Sequence, residues 1–198
     1  MRKLCLSLFS LFLCLGVFAQ PEKDSQIKAG TLTIHFGMQD FVTPQRIKSS
    51  SMPTTVGNQN WAKLSEQQPA LGISYIKGIS NHFDVSVNYF IASLAYPFRD
   101  GTPKPSTAYL LHEADASIVM KLLPDNHFFV PYLSAGVGAS AYQGGKFDAF
   151  MPLGGGIQLK LGSETFLFSN FQYRIPVTER ANYHFFSSIG VGTQIGKD

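Results

Sequence analysis

Apolar and polar side chains alternate with a period of two along most of this chain. The run Thr31-Leu32-Thr33-Ile34-His35-Phe36 puts Leu32, Ile34 and Phe36 on one face. Over 83–91, Phe83, Val85, Val87, Tyr89 and Ile91 oppose Asp84, Ser86 and Asn88. Over 132–141, Leu133, Ala135, Val137, Ala139 and Ala141 oppose Tyr132, Ser134, Gly136, Gly138 and Ser140. Over 151–161, Met151, Leu153, Ile157, Leu159 and Leu161 oppose Gly154, Gly156, Gln158 and Lys160. Period two sustained over such lengths is a strand pattern. Weaker versions run over 70–79, 108–122, 165–175 and 184–196. In 165–175 the parity is ambiguous, because Phe166 and Phe168 share a face with Asn170, Gln172 and Arg174.

Eight strands follow from this pattern, most of about 10 to 14 residues. Strands in soluble domains centre on about 5 or 6 residues, whereas a tilted membrane strand needs about 9 to 11. The connections over 39–69, 80–82, 94–107, 123–127, 142–149, 162–164 and 176–182 alternate long and short. The short ones, such as Ser80-Asn81-His82 and Gly162-Ser163-Glu164, have turn chemistry. Membrane barrels have short periplasmic turns and longer extracellular loops, so the odd-numbered connections are expected outside. The first loop, with Ser49-Ser50-Ser51 and Pro53, reads as polar and mobile, with a short helix over 58–67 carrying Trp61 and Leu64.

Composition fits a wall solvated by lipid. Charged residues make up 15% of the chain, with 17 Phe and 8 Tyr, where a soluble domain averages about 25% charged. No later run reaches the roughly 18 apolar residues of a helical span. Aromatics sit near expected strand ends: Phe83, Tyr89, Tyr96, Phe98, Tyr109, Phe128, Phe129, Tyr142, Phe150, Phe166, Tyr173, Phe185 and Phe186. They fit membrane-interface girdles and a plain aromatic core equally well.

Residues 1–19 read as a cleaved signal peptide. Arg2 and Lys3 precede an apolar stretch over 4–18, and Val17-Phe18-Ala19 offers a cleavage site before Gln20. Residues 20–27 read as a short polar leader and 28–198 as the barrel. Cys5 and Cys14 both lie in the signal, so the mature chain has no thiol for a disulfide, a metal or a nucleophile. Removing Arg2 and Lys3 from the 16 basic residues leaves 14 against 13 acidic ones. That near-balance, without a basic run, gives no electrostatic footprint for nucleic acid.

The segment Pro131-Tyr132-Leu133-Ser134-Ala135-Gly136-Val137-Gly138 resembles the outer-membrane protein β-barrel domain family, small barrels of the OmpA/OmpX type. The order of the later motifs adds to the likeness: Pro152 to Gly156, Gln172 to Arg174, and Ile189 to Gly192. It spans about 28–196. The resemblance implies an eight-stranded antiparallel up-and-down transmembrane barrel in the cell outer membrane. Two departures stand out. No peptidoglycan-binding domain is expected after the barrel, and the sequence ends Ile195-Gly196-Lys197-Asp198 rather than on an aromatic residue.

Charges within strands are the candidate site. Glu113, Asp115 and Lys121 share a face of the fourth strand. Asp84, Lys160 and Arg174 lie on the polar faces of the third, sixth and seventh. Lys or Arg facing lipid at mid-membrane costs about 2 to 4 kcal/mol, so these six are expected to point inward. They would form a paired ionic plug or, alternatively, a narrow ion path. Gly136-Val137-Gly138-Ala139-Ser140-Ala141 matches a dinucleotide fingerprint in spacing, but strand alternation continues where that motif needs a helix. The five histidines show no metal-ligand spacing, and no cofactor is expected. His184 has no serine two residues on, so a lipid-modifying enzyme is the secondary reading, and a soluble periplasmic lipocalin-like binder the third. The expected partner is outer-membrane lipid. A protein partner, extracellular or periplasmic, stays open.

Overall fold

A computed structural model describes residues 27–94, 109–142, 146–179 and 181–195. The expected signal peptide and the leader up to residue 26 lie outside the described residues, as does the third connection from residue 95 onward, with Tyr96 and Phe98. The strands are β1 (Thr31–Asp40), β2 (Gln68–Gly78), β3 (Phe83–Leu94), β4 (Tyr109–Lys121), β5 (Phe129–Tyr142), β6 (Lys146–Lys160), β7 (Thr165–Pro176) and β8 (His184–Gln194). Each pairs antiparallel with its chain neighbours, and β1 closes on β8 from Thr31↔Gln194 to Asp40↔Phe185. Closure leaves no free sheet edge and pairs the backbone internally, which a bilayer demands. The β5–β6 ladder skips from Ala135↔Leu153 to Gly138↔Phe150. The gap faces Pro152, which has no N–H to donate.

The alternation sets inside against outside. In β1, Thr31, Thr33, His35 and Gln39 are buried, while Leu32, Ile34 and Phe36 are exposed. The outer wall is largely apolar: Ile34, Leu71, Val137, Phe147 and Ile189 are 69, 63, 66, 71 and 61% exposed. A continuous apolar surface of this kind marks a membrane contact rather than a soluble exterior. The ambiguous β7 resolves cleanly. Phe166, Phe168, Gln172 and Arg174 all turn inward and are buried.

Two expectations need correction. The fifth connection spans only 143–145, because β6 begins at Lys146. Phe147 outside and Asp148 inside already belong to the strand alternation. Loop sorting therefore rests on the first and third connections. The first loop is also organised differently from the reading above. It forms helix α1 (Val42–Ser50), helix α2 (Met52–Gly57) and a single 3-10 turn at Leu64–Glu66. The Asp40 carboxylate accepts from the N–H groups of Val42 at 2.9 Å and Thr43 at 2.8 Å. That capping by a strand-end acid starts α1, and Ser51 with Pro53 starts α2. Arg46 ties the far side of the loop down, donating to the Trp61 carbonyl at 3.0 Å and to Glu66 at 2.8 Å. The Glu66 carboxylate also accepts from the Lys63 N–H at 2.7 Å. That backbone bond first, and Arg46 second, hold its acid below the ordinary range.

Candidate functional site

The lumen holds two ionic clusters, one at each end. At the end that carries the turn between β4 and β5, Lys28 lies 3.0 Å from Asp84 and 3.2 Å from Asp125, and Lys121 lies 2.7 Å from Asp84 and also pairs with Asp125. Each lysine thus touches both aspartates, and the four charges alternate around a ring of zero net charge. Gln158 accepts from Lys28 and donates to Asp125 at 2.9 Å. The Lys28 ammonium also lies 5.3 and 5.5 Å from the ring centres of Phe166 and Phe168. Asp125 belongs to the turn that joins β4 to β5. Burial favours its neutral form, but Lys28 and Lys121 outweigh burial and hold the carboxyl below its ordinary value.

The second cluster surrounds Arg174, which is fully buried. Its Nη1 donates to Glu113, its Nη2 lies 3.7 Å from Asp115, and its Nε donates to Gln172 at 3.3 Å. Glu113 also accepts from Gln39 and, at 3.0 Å, from Ser140. Asp115 accepts from Asn88 at 2.7 Å and Ser117 at 3.0 Å. Three rings wrap the guanidinium carbon, with centres at 5.6 Å for Phe90, 5.1 Å for Phe150 and 4.0 Å for Phe186. A cation in a ring cage gains from the negative ring faces, most of all when water is excluded. Glycine makes the cage feasible. A Cβ on Gly138 would come within 2.5 Å of the Phe150 ring, and one on Gly72 within 2.1 Å of the Phe90 ring.

Above this cluster the mouth is shut by side chains. Phe41, Ala70, Ala92, Leu111 and Tyr142 pack with Phe90 and Phe186 in one apolar cluster. Phe41 stacks on His184 with ring centres 4.4 Å apart, and His184 Nε2 lies 3.6 Å from Glu113. Between the two clusters is a polar cavity of about 40 Å³, lined among others by His35, Ser74, Asn88, Ser134 and Asn170. His35 and Ser74 share a 2.8 Å hydrogen bond there. That volume admits a few waters and no larger solute.

Of the six charges singled out from the sequence, five meet in these clusters: Asp84 and Lys121 in one, Glu113, Asp115 and Arg174 in the other. Lys160 stands apart, half-buried opposite Phe166 at the same end of the barrel as the four-charge ring and in no ion pair among the described residues. Lys28 and Asp125 were not on that list. Both lie just outside strand alternation, in the segment leading into β1 and in a turn, and reach back beneath the barrel. The aromatic reading divides as well. Phe83, Phe128 and Phe129 face outward, whereas Tyr142, Phe150, Phe166 and Phe186 are buried in the lumen. Among the described residues no group of His, Asp and Glu could hold a metal ion.

A closed eight-stranded ladder with an apolar wall and a polar, side-chain-filled lumen defines the small outer-membrane β-barrels, and this chain has that fold. The crystal structure of Neisserial surface protein A is similar, with a TM-score of 0.55 and 15% identity over 85% of this chain and 99% of that one. So is the N-terminal β-barrel domain of Pseudomonas aeruginosa OprF, with a TM-score of 0.54 and 13% identity over 85% of this chain and 98% of that one. No family model matches the sequence, and no curated protein matches it.

Proposed function

We propose that the protein is a structural or interaction-type barrel of the outer membrane, with a lumen sealed by ion pairs and with any protein partner met by its extracellular loops. The observation that carries this is the doubly blocked lumen. Arg174 fills one half, bound to Glu113 within its aromatic cage, and the four-charge ring fills the other. Phe41 and its neighbours cover the remaining opening. A lumen so filled has no room to carry a solute, so the loops remain as the surface able to meet a partner. An enzyme acting on lipid would need a nucleophile, a base and an orienting acid on the outer wall. The outward positions of β2 to β5 hold no Asp or Glu.

Fractionation tests the reading. The mature protein is expected in the outer-membrane fraction, with a gel mobility that changes on boiling. Protease added to intact cells is expected to cut at 58–63, the exposed stretch between α2 and the 3-10 turn. A soluble periplasmic protein, or cleavage only at the turns near Asn81 and Asp125, would contradict it.

A further inference from the structure

A tyrosine–histidine pair is among the polar side chains on the lipid-facing wall. Tyr89 on β3 and His112 on β4 point outward, as their neighbours Phe90, Leu111 and Glu113 are buried inside. The Tyr89 hydroxyl lies 2.7 Å from His112 Nδ1, and the rings stack with centres 6.1 Å apart. A neutral histidine and a tyrosine carry one donor proton each. Their mutual bond uses one proton, so one N–H or O–H is left outside that bond, whichever tautomer is present.

Depth decides what meets that donor. Phe83, Phe128 and Phe129 mark the periplasmic edge of the wall, and Ile91, the register partner of His112, lies eight residues above Phe83 on β3. At about 3.4 Å per residue and a tilt of about 40°, that is a height of about 21 Å. The apolar band of such barrels is about 25 Å tall. The pair therefore sits near the extracellular boundary, where outer-leaflet headgroups begin. Beside it the wall is shallow. His112 faces Ala141, Ala114 faces Ala139, and Ala139 faces Ala149 across the sheet. Phe147 and Val137 stand proud of this trough, at 71 and 66% exposure.

We propose that Tyr89 and His112 contact the phosphate of an outer-leaflet lipid, one of whose acyl chains lies along the alanine trough of β4 and β5. An anionic acceptor suits the pair because the donor outside their mutual bond makes a stronger, charge-assisted hydrogen bond to an ionised oxygen than to a neutral one. Among the described residues, no Asp or Glu occupies an outward position of β2 to β5. The proposal rests on the membrane reading above, which fractionation tests separately.

The test uses the full mature chain in neutral detergent, with bisphosphorylated lipid A, its dephosphorylated form and inorganic phosphate as probes. Lipid retention by native mass spectrometry and the ring nitrogen shifts of His112 are the readouts. Bisphosphorylated lipid A is expected to be retained and to shift His112. Tyr89→Phe and His112→Gln are each expected to weaken retention about tenfold, the loss of one charge-assisted hydrogen bond. The outward Val87→Ala is expected to change nothing. A boiling-shift gel identifies any variant that fails to fold, and the other then carries the comparison. Equal retention by wild type and folded variants would overturn the site. Equal binding of dephosphorylated lipid would overturn its phosphate specificity. An equal His112 shift with inorganic phosphate would overturn the lipid as its source.

Discussion

The guanidinium carbon of Arg174 stands 4.0 Å from the centre of the Phe186 ring, while its Nη1 donates to Glu113. The ring has to turn inward for this, whereas the strand-end rings of Phe83 and Phe129 face outward. The barrel thus uses aromatic residues as packing around a buried cation, and the carboxylate neutralises it. Removing either the acid or the rings leaves a charge without its solvation.

Glu113→Leu is expected to strand Arg174 and to destabilise the barrel by about 3 to 5 kcal/mol, the usual cost of breaking a buried pair. Urea unfolding in detergent micelles measures it. Glu179→Gln, an exposed acid after β7, is the control and should stay within about 0.5 kcal/mol. Asp148, within the connection expected over 142–149, is not a loop acid. It is buried on β6 and accepts from the Thr178 hydroxyl at 2.7 Å.

In the four-charge ring, Lys28→Met alone should cost about 3 kcal/mol, because it leaves Asp84 and Asp125 sharing one cation. Adding Asp125→Leu restores the balance of one cation to one acid. The double variant is expected to be more stable than Lys28→Met by at least about 1 kcal/mol, since replacing a whole buried pair is often neutral. A double variant as unstable as the sum of the singles would show that the ring is not a coupled unit.

Most of the barrel is legible in the sequence because a membrane strand writes its two environments into alternate residues. Where that rule is diluted, the reading slips. Gly144 and Gly145 beside Asp148 look like loop, although Phe147 already keeps the outward parity of Met151 and Leu153. The helices α1 and α2 hide in a polar stretch, although Asp40 and the Ser51-Met52-Pro53 run supply their starts. Lys28 and Asp125 could not be found by periodicity, because neither lies in a strand. Which aromatics turn inward depends on room given by glycines on neighbouring strands, as Gly138 does for Phe150, and that is a fact of register rather than of local sequence.

Acid should loosen the four-charge ring. The folded state holds the Asp125 acid below its ordinary value of 3.8, so it favours the carboxylate. The stabilisation this gives is complete above about pH 4 and is lost as pH falls through the folded value. Asp125→Asn removes this contribution. Its stability should therefore fall less steeply between about pH 4 and pH 2 than that of the wild type, measured by thermal unfolding in detergent across that window. Parallel slopes would mean that Asp125 is not held ionised by Lys28 and Lys121.

Planar-bilayer recording tests the sealed lumen most directly. Wild-type protein is expected to give no steady conductance, because Arg174 with its rings, the four-charge ring and the Phe41 cluster each block the path. Glu113→Leu is expected to stay closed as well while losing stability, since eight strands leave an interior that side chains fill. A steady wild-type current whose ion selectivity changes in Glu113→Leu, with stability unaltered, would contradict the plug and make these charges the lining of a narrow channel.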